Sequence, residues 1–147
     1  MGLAARTWFI LAWGFLAMEL VAGCGDGRPA RYSVSGQVLV DGKPADRALV
    51  TFFPQDGSDP IKPRSFALTK ADGSFRAFTF DKDDGVPAGE YAITVVLPQY
   101  SQDDDDDPGP DLLQGRYANP KTPRIRASIQ EKDNLLPVFQ LTTNAER

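Results

Sequence analysis

The sequence predicts an all-β fold, a seven-stranded antiparallel β-sandwich of Greek-key type, on three observations. Apolar residues recur at every second position in short segments, clusters of Gly, Pro, Asn and Asp separate those segments, and no long segment holds apolar residues at helical spacing. The boundaries that follow are a leader over 1–23, a tether over 24–31, the sandwich over 32–141 and a tail over 142–147.

The leader comes first. Arg6 precedes Trp8 to Met18, an uncharged run of 11 residues, and Glu19 interrupts it well short of the roughly 20 apolar residues a membrane span needs. This is the charged start and apolar centre of a secretory signal peptide. Leu20-Val21-Ala22-Gly23-Cys24 then resembles a bacterial lipobox: small residues give a peptidase access to the backbone, and the thiol of Cys24 takes a diacylglycerol. Cys24 is the single cysteine of the chain, which excludes an intramolecular disulfide. Cleavage before it leaves 124 of the 147 residues, and because Arg6 and Glu19 depart together the net charge stays at −4. A chain of that size buries about two-thirds of its unfolded surface, enough to fold without staples. Several acyl chains on the new amino terminus give stable membrane attachment. Gly25, in place of an aspartate directly after the lipidated position, favours onward transport to an outer membrane.

Gly25 to Ala30 is small, polar and rich in breakers, a tether. From Tyr32 to Val40 the pattern alternates, with Tyr32, Val34, Val38 and Val40 on one face and Ser33, Ser35 and Gln37 on the other; Asp41-Gly42-Lys43-Pro44 ends it. Residues 48–53 (ALVTFF) make a second strand closed by Pro54. Strands over 65–69 and 75–80 flank Asp72-Gly73, a hairpin signal. Tyr91 to Leu97 alternates Tyr91, Ile93, Val95 and Leu97. The last pair, 125–129 and 135–141, lies around Glu131-Lys132-Asp133-Asn134. Between the fifth and sixth strands, residues 98–123 are too long for a tight hairpin. They read as a crossover between sheets, with a single helical turn begun by Asp111 and ended at Gly115.

These residues carry a resemblance. Val34-Ser35-Gly36-Gln37-Val38 before Asp41-Gly42-Lys43-Pro44, then Thr69 to Phe75 (TKADGSF) and Pro87-Ala88-Gly89-Glu90-Tyr91, is similar to the carboxypeptidase regulatory-like domain, a transthyretin-like β-sandwich, in a small bacterial lipoprotein. The motifs cover 32–97, and the strand pattern extends to Leu141. The resemblance implies a fold and no substrate. On the residues themselves, Gly36 in mid-strand marks a bulge or a close approach, and Tyr91 is expected to pack inward with its hydroxyl on a backbone group.

The composition removes most chemistry. There is no histidine, so His-dependent triads, haem and the common zinc sites lack their central residue. The enzymes that the resembled fold supports, hydrolases of oxidised purines and intradiol dioxygenases, are implied to need histidines this chain does not have. No pair of carboxylates is singled out by spacing as a glycosidase dyad. No enzyme activity, no catalytic residue and no cofactor is predicted, and the mild charge argues against nucleic acid.

Five consecutive aspartates, Asp103, Asp104, Asp105, Asp106 and Asp107, hold the acidity in one place. They are the candidates for a calcium-sensitive loop, since hard cations take carboxylate oxygens. Adjacent side chains of an extended run point in alternate directions, however, so the run reads as a solvated loop, with no resident metal predicted. Asp81-Lys82-Asp83-Asp84-Gly85 fails the calcium-loop pattern because its glycine falls one place early. Lys121, Arg124 and Arg126 form the basic counterpart, with Arg124 and Arg126 sharing the exposed face of the sixth strand opposite Ile125, Ala127 and Ile129. The function expected is a lipid-anchored, non-catalytic envelope module, periplasmic or at the cell surface. It attaches to the membrane through Cys24 and meets an unidentified envelope protein or polysaccharide. The alternative is a small carbohydrate- or peptide-binding lipoprotein, with Tyr100 and Tyr117 as its exposed aromatics.

Overall fold

A computed structural model describes residues 27–55, 63–100 and 108–144. Thirteen strands run through them: β1 (Arg31–Tyr32), β2 (Val34–Val40), β3 (Lys43–Pro44), β4 (Leu49–Pro54), β5 (Ser65–Leu68), β6 (Ser74–Arg76), β7 (Val86–Pro87), β8 (Gly89–Val96), β9 (Pro98–Tyr100), β10 (Pro108–Asp111), β11 (Ile125–Ile129), β12 (Asn134–Leu135) and β13 (Phe139–Leu141). The fold is an all-β sandwich. One sheet has the order β11-β8-β4-β5. The other is built on β2, which pairs with β12 and β13 along one edge and with β3 and β6 along the other: Ser35 is opposite both Leu135 and Arg76.

The core is what the period-two pattern requires. Val34, Val38 and Val40 of β2, Phe75 of β6, and Phe139 and Leu141 of β13 meet Val50, Phe52, Ala67, Ile93 and Val95 of the facing sheet. Aromatic rings join the layers, Phe52 standing edge-on to Phe75 at 6.5 Å and to Tyr91 at 6.1 Å, and Phe75 lying 6.0 Å from Phe139. Gly36 is the close approach the sequence implies: a Cβ there would stand 2.6 Å from the Phe75 ring on the neighbouring strand, so the glycine makes room for the phenyl group. The buried Tyr91 hydroxyl donates to the Pro87 carbonyl at 2.8 Å, as expected of it. Asp41 and Gly42 both have positive φ, +50° and +77°, the backbone of the tight turn between β2 and β3.

Four features depart from the sequence expectation, each for a physical reason. The first strand bends at Ser33, so Arg31 and Tyr32 leave β2 to pair with Pro87 and Val86. The strand expected over 75–80 stops at Arg76. Phe78 makes one isolated bridge to Phe66, and the Asp84 carboxylate then turns the chain by accepting the N–H groups of Thr79 at 2.6 Å and Phe80 at 3.1 Å. The crossover over 98–123 begins as a ribbon, β9 against β10, which keeps its prolines because a two-stranded ribbon leaves ladder positions unpaired. Its expected helical turn is instead a run of tight turns, in which the Asp111 carboxylate accepts from Leu113 and Gly115. The seventh strand, finally, is split by Pro137 into β12 and β13. Both halves run parallel to β2, a correction to the wholly antiparallel expectation. Polypeptide from β11 has to cross from one sheet to the other and arrives beside β2 in the same direction.

Candidate functional site

The site begins at an edge. Among the described residues β11 pairs with β8 alone, from Ile125 opposite Ile93 to Ile129 opposite Gly89. In an antiparallel ladder the N–H and C=O of one residue point to the same side and alternate along the strand. The Glu90 carbonyl accepts from Gln55 on the β4 side, and the Val95 N–H reaches the Tyr117 carbonyl on the β11 side. Hence Gly89, Tyr91 and Ile93 bond β11, through Ile129, Ala127 and Ile125. The backbone groups of Arg126 and Ser128 therefore point away from the sheet, and among the described residues no hydrogen bond engages them. The edge closes at Gln130, just past the end of β11, where the Asn134 side chain accepts from the Gln130 N–H at 3.0 Å and donates back to the Gln130 carbonyl at 3.0 Å.

Beside this edge a groove of about 720 Å³ separates β11 from the broken strand of the other sheet. Leu136 and Phe139, both buried, form its apolar floor; Arg124, Arg126, Ser128, Lys132, Asn134 and Leu135 stand around it. Leu135 is 83% exposed, the most open of the large apolar side chains among the described residues. Its charge is three cations, Arg124, Arg126 and Lys132, against one carboxylate, Asp133. Among the described residues neither Arg126 nor Lys132 has a carboxylate partner within 4 Å.

Arg126 stands exposed on β11, where the alternation put it, whereas Arg124, also exposed, lies in the bend just before the strand begins at Ile125. The structure adds Lys132, Asn134 and Leu135, which the sequence reading assigned only to a turn and a strand start. Tyr100 and Tyr117 do not line the groove. Tyr100, on β9, lies under the Arg47 guanidinium at 3.9 Å from its ring centre. Tyr117 is a strut: its hydroxyl accepts the Thr142 N–H at 3.2 Å, and its ring meets Arg124 at 5.9 Å, on the groove's rim. Arg116 next to it grips the carbonyls of Thr142, Thr143 and Asn144, fixing the chain after β13. Cys24 and the candidate cation ligands Asp103, Asp104, Asp105, Asp106 and Asp107 lie outside the described residues. Among the described residues no group of three His, Cys, Asp or Glu could hold a metal ion, and no helix is long and apolar enough to cross a membrane.

The perturbed carboxylates are structural. Hydrogen bonds from the Thr143 hydroxyl and N–H hold Asp41 below the usual carboxylate range, tying the end of β13 to the first turn. Ser74 does the same for Asp72. Burial pushes the Asp84 carboxyl up, but the donors of Thr79, Asp81 and Phe80, with Arg31 at 3.0 Å, outweigh it and hold the group low. None of the three lines the groove. The groove thus offers backbone hydrogen bonds, an apolar floor and positive charge, and no convergent acid–base pair.

No family model matches the chain, and no curated protein matches it. Among solved structures it is similar to a 9R-lipoxygenase from Cyanothece PCC8801, at a TM-score of 0.39 and 13% identity over 78% of this chain and 17% of that one. A likeness of that size carries no argument about function.

Proposed function

We propose that the protein is a lipid-anchored, extracytoplasmic β-sandwich module of the bacterial cell envelope, non-catalytic, that holds a partner near the membrane. The observation that carries the interaction role is the unpaired edge of β11 with its cationic groove, a surface suited to contact and lacking any arrangement for bond cleavage. The anchor rests on the lipobox-like Leu20 to Cys24, and the module's family on its similarity to carboxypeptidase regulatory-like domains. The enzyme reading finds no support in a chain without histidine. A second reading, a small peptide-binding lipoprotein, is favoured over carbohydrate binding by the same groove, because Tyr100 is engaged by Arg47, Tyr117 is held by Thr142 and Arg124, and the lining's one aromatic, Phe139, is buried.

Labelling growing bacteria with a radioactive fatty acid tests the anchor. The wild-type chain is expected to take up label and sediment with membranes, and Cys24→Ala is expected to do neither. Equal incorporation in both forms contradicts the proposal.

A further inference from the structure

We propose that β11 receives an extended, acidic peptide segment of a partner protein as an added strand, an inference that rests on the interaction reading above. Free sheet edges pair with extended chains through successive N–H and C=O groups. Arg126 and Ser128 present such groups outward, two residues apart, on a strand whose other edge is fully paired. A strand laid there continues the sheet. Its side chains then divide by the same alternation as those of β11.

One face of the added strand lies level with Arg126, with Arg124 just before the strand, where carboxylates meet opposite charge. The other turns toward Leu136, Phe139 and the exposed Leu135, where apolar side chains lose water. Three cations against Asp133 set the sign of the ligand. A polyanionic glycan or a lipid headgroup meets the charge but cannot supply alternating donors and acceptors to the backbone, nor use the apolar floor. The edge of β12 and β13 across the groove is a poor competitor, because Pro137 deprives it of a donor.

The test uses the mature, lipidated chain in detergent and a fluorescent peptide alternating Glu and Val, with three comparators: the same peptide with Lys for Glu, a version interrupted by proline, and sulfated dextran as competitor. Saturable binding of the Glu–Val peptide is expected, with the Lys and proline versions each at least about tenfold weaker, the scale of one or two lost charge-assisted or edge hydrogen bonds. Ser128→Pro removes an outward N–H while the ladder to β8 keeps its bonds through Ala127 and Ile129, and it is expected to weaken binding by a similar factor. Arg124→Glu with Arg126→Glu keeps every backbone group and is expected to reverse the preference toward the Lys peptide. No binding of the Glu–Val peptide overturns the proposal, leaving the two arginines as guards against edge aggregation. So does equal binding of the proline-interrupted peptide, or full displacement by sulfated dextran with Ser128→Pro neutral, either of which means attraction to any polyanion. Acylation of Cys24 is read separately, so loss of the anchor and loss of the peptide site cannot be confused.

Discussion

β5 and β11 are the two outer strands of one sheet, and they are finished differently. Beyond β5, Phe66 and Phe78 exchange both backbone hydrogen bonds at 2.8 Å, their rings pack at 6.3 Å, and the Ser65 and Thr79 hydroxyls meet at 2.8 Å. The edge is thereby stitched to the chain that comes out of β6 in the other sheet. Beyond β11, among the described residues, there is no such stitch, only the exposed Arg126, with Arg124 just before the strand, and the groove. Closing an edge stabilises a sandwich. Leaving one open costs stability and risks aggregation, which charge alone holds off. On the proposed reading, β5 serves the fold and β11 is kept for a partner.

That contrast can be broken by proline. Phe66→Pro removes the donor to Phe78, strands that carbonyl and loses a ring contact, and is expected to cost about 3 kcal/mol in urea unfolding. Ser128→Pro, on the open side of β11, is expected to cost less than about 1 kcal/mol. Equal losses at the two positions mean that the β11 edge is as engaged as the β5 edge.

Between the two edges, Tyr91→Phe on β8 deletes only the hydroxyl bonded to Pro87, and a loss of about 1–1.5 kcal/mol is expected by the same measurement. Acid separates the edges further. Because the Asp84 carboxyl is held below its ordinary pKa of 3.8, its contribution is fully present above that value and is lost as pH falls through the lower folded value. The melting temperature is expected to fall as pH drops below about 4, and to fall less steeply in Asp84→Ala, whose turn no longer depends on a carboxylate. Asp84 holds Thr79 and Phe80 next to the Phe78 bridge, so acid is expected to loosen the β5 side first. The smallest effect belongs to the other side: Arg126→Glu is expected to change stability by no more than about 0.5 kcal/mol, because its side chain is exposed and unpaired. A larger loss gives Arg126 a structural role.

Much of this was legible in residues and some of it was not. Alternation placed β11 to the residue and β2, β4 and β8 to within two residues at either end, and Asp41-Gly42 marked its turn, because burial of one face and positive φ are both local demands. Strand direction is not local: nothing in the Leu135 to Leu141 pattern says that β12 and β13 run parallel to β2. The ribbon of β9 and β10 was hidden behind Pro98, Pro108 and Pro110, which argue against strands wherever the ladder is complete. Asp84 looked like part of a failed calcium loop and proves to be a backbone cap. Arg124 and Arg126 were visible as a basic face, but the openness of their strand is a property of sheet order. Hydrophobic period does not encode sheet order.

Amide hydrogen exchange of the mature chain, with and without the Glu–Val peptide, tests the central claim most directly. In the free protein the Arg126 and Ser128 amides are expected to exchange much faster than those of Ala127 and Phe66, and to slow selectively when the peptide is added, leaving Phe66 unchanged. Protection of Arg126 and Ser128 in the free protein, or no slowing at saturating peptide, contradicts an open edge kept for a partner strand.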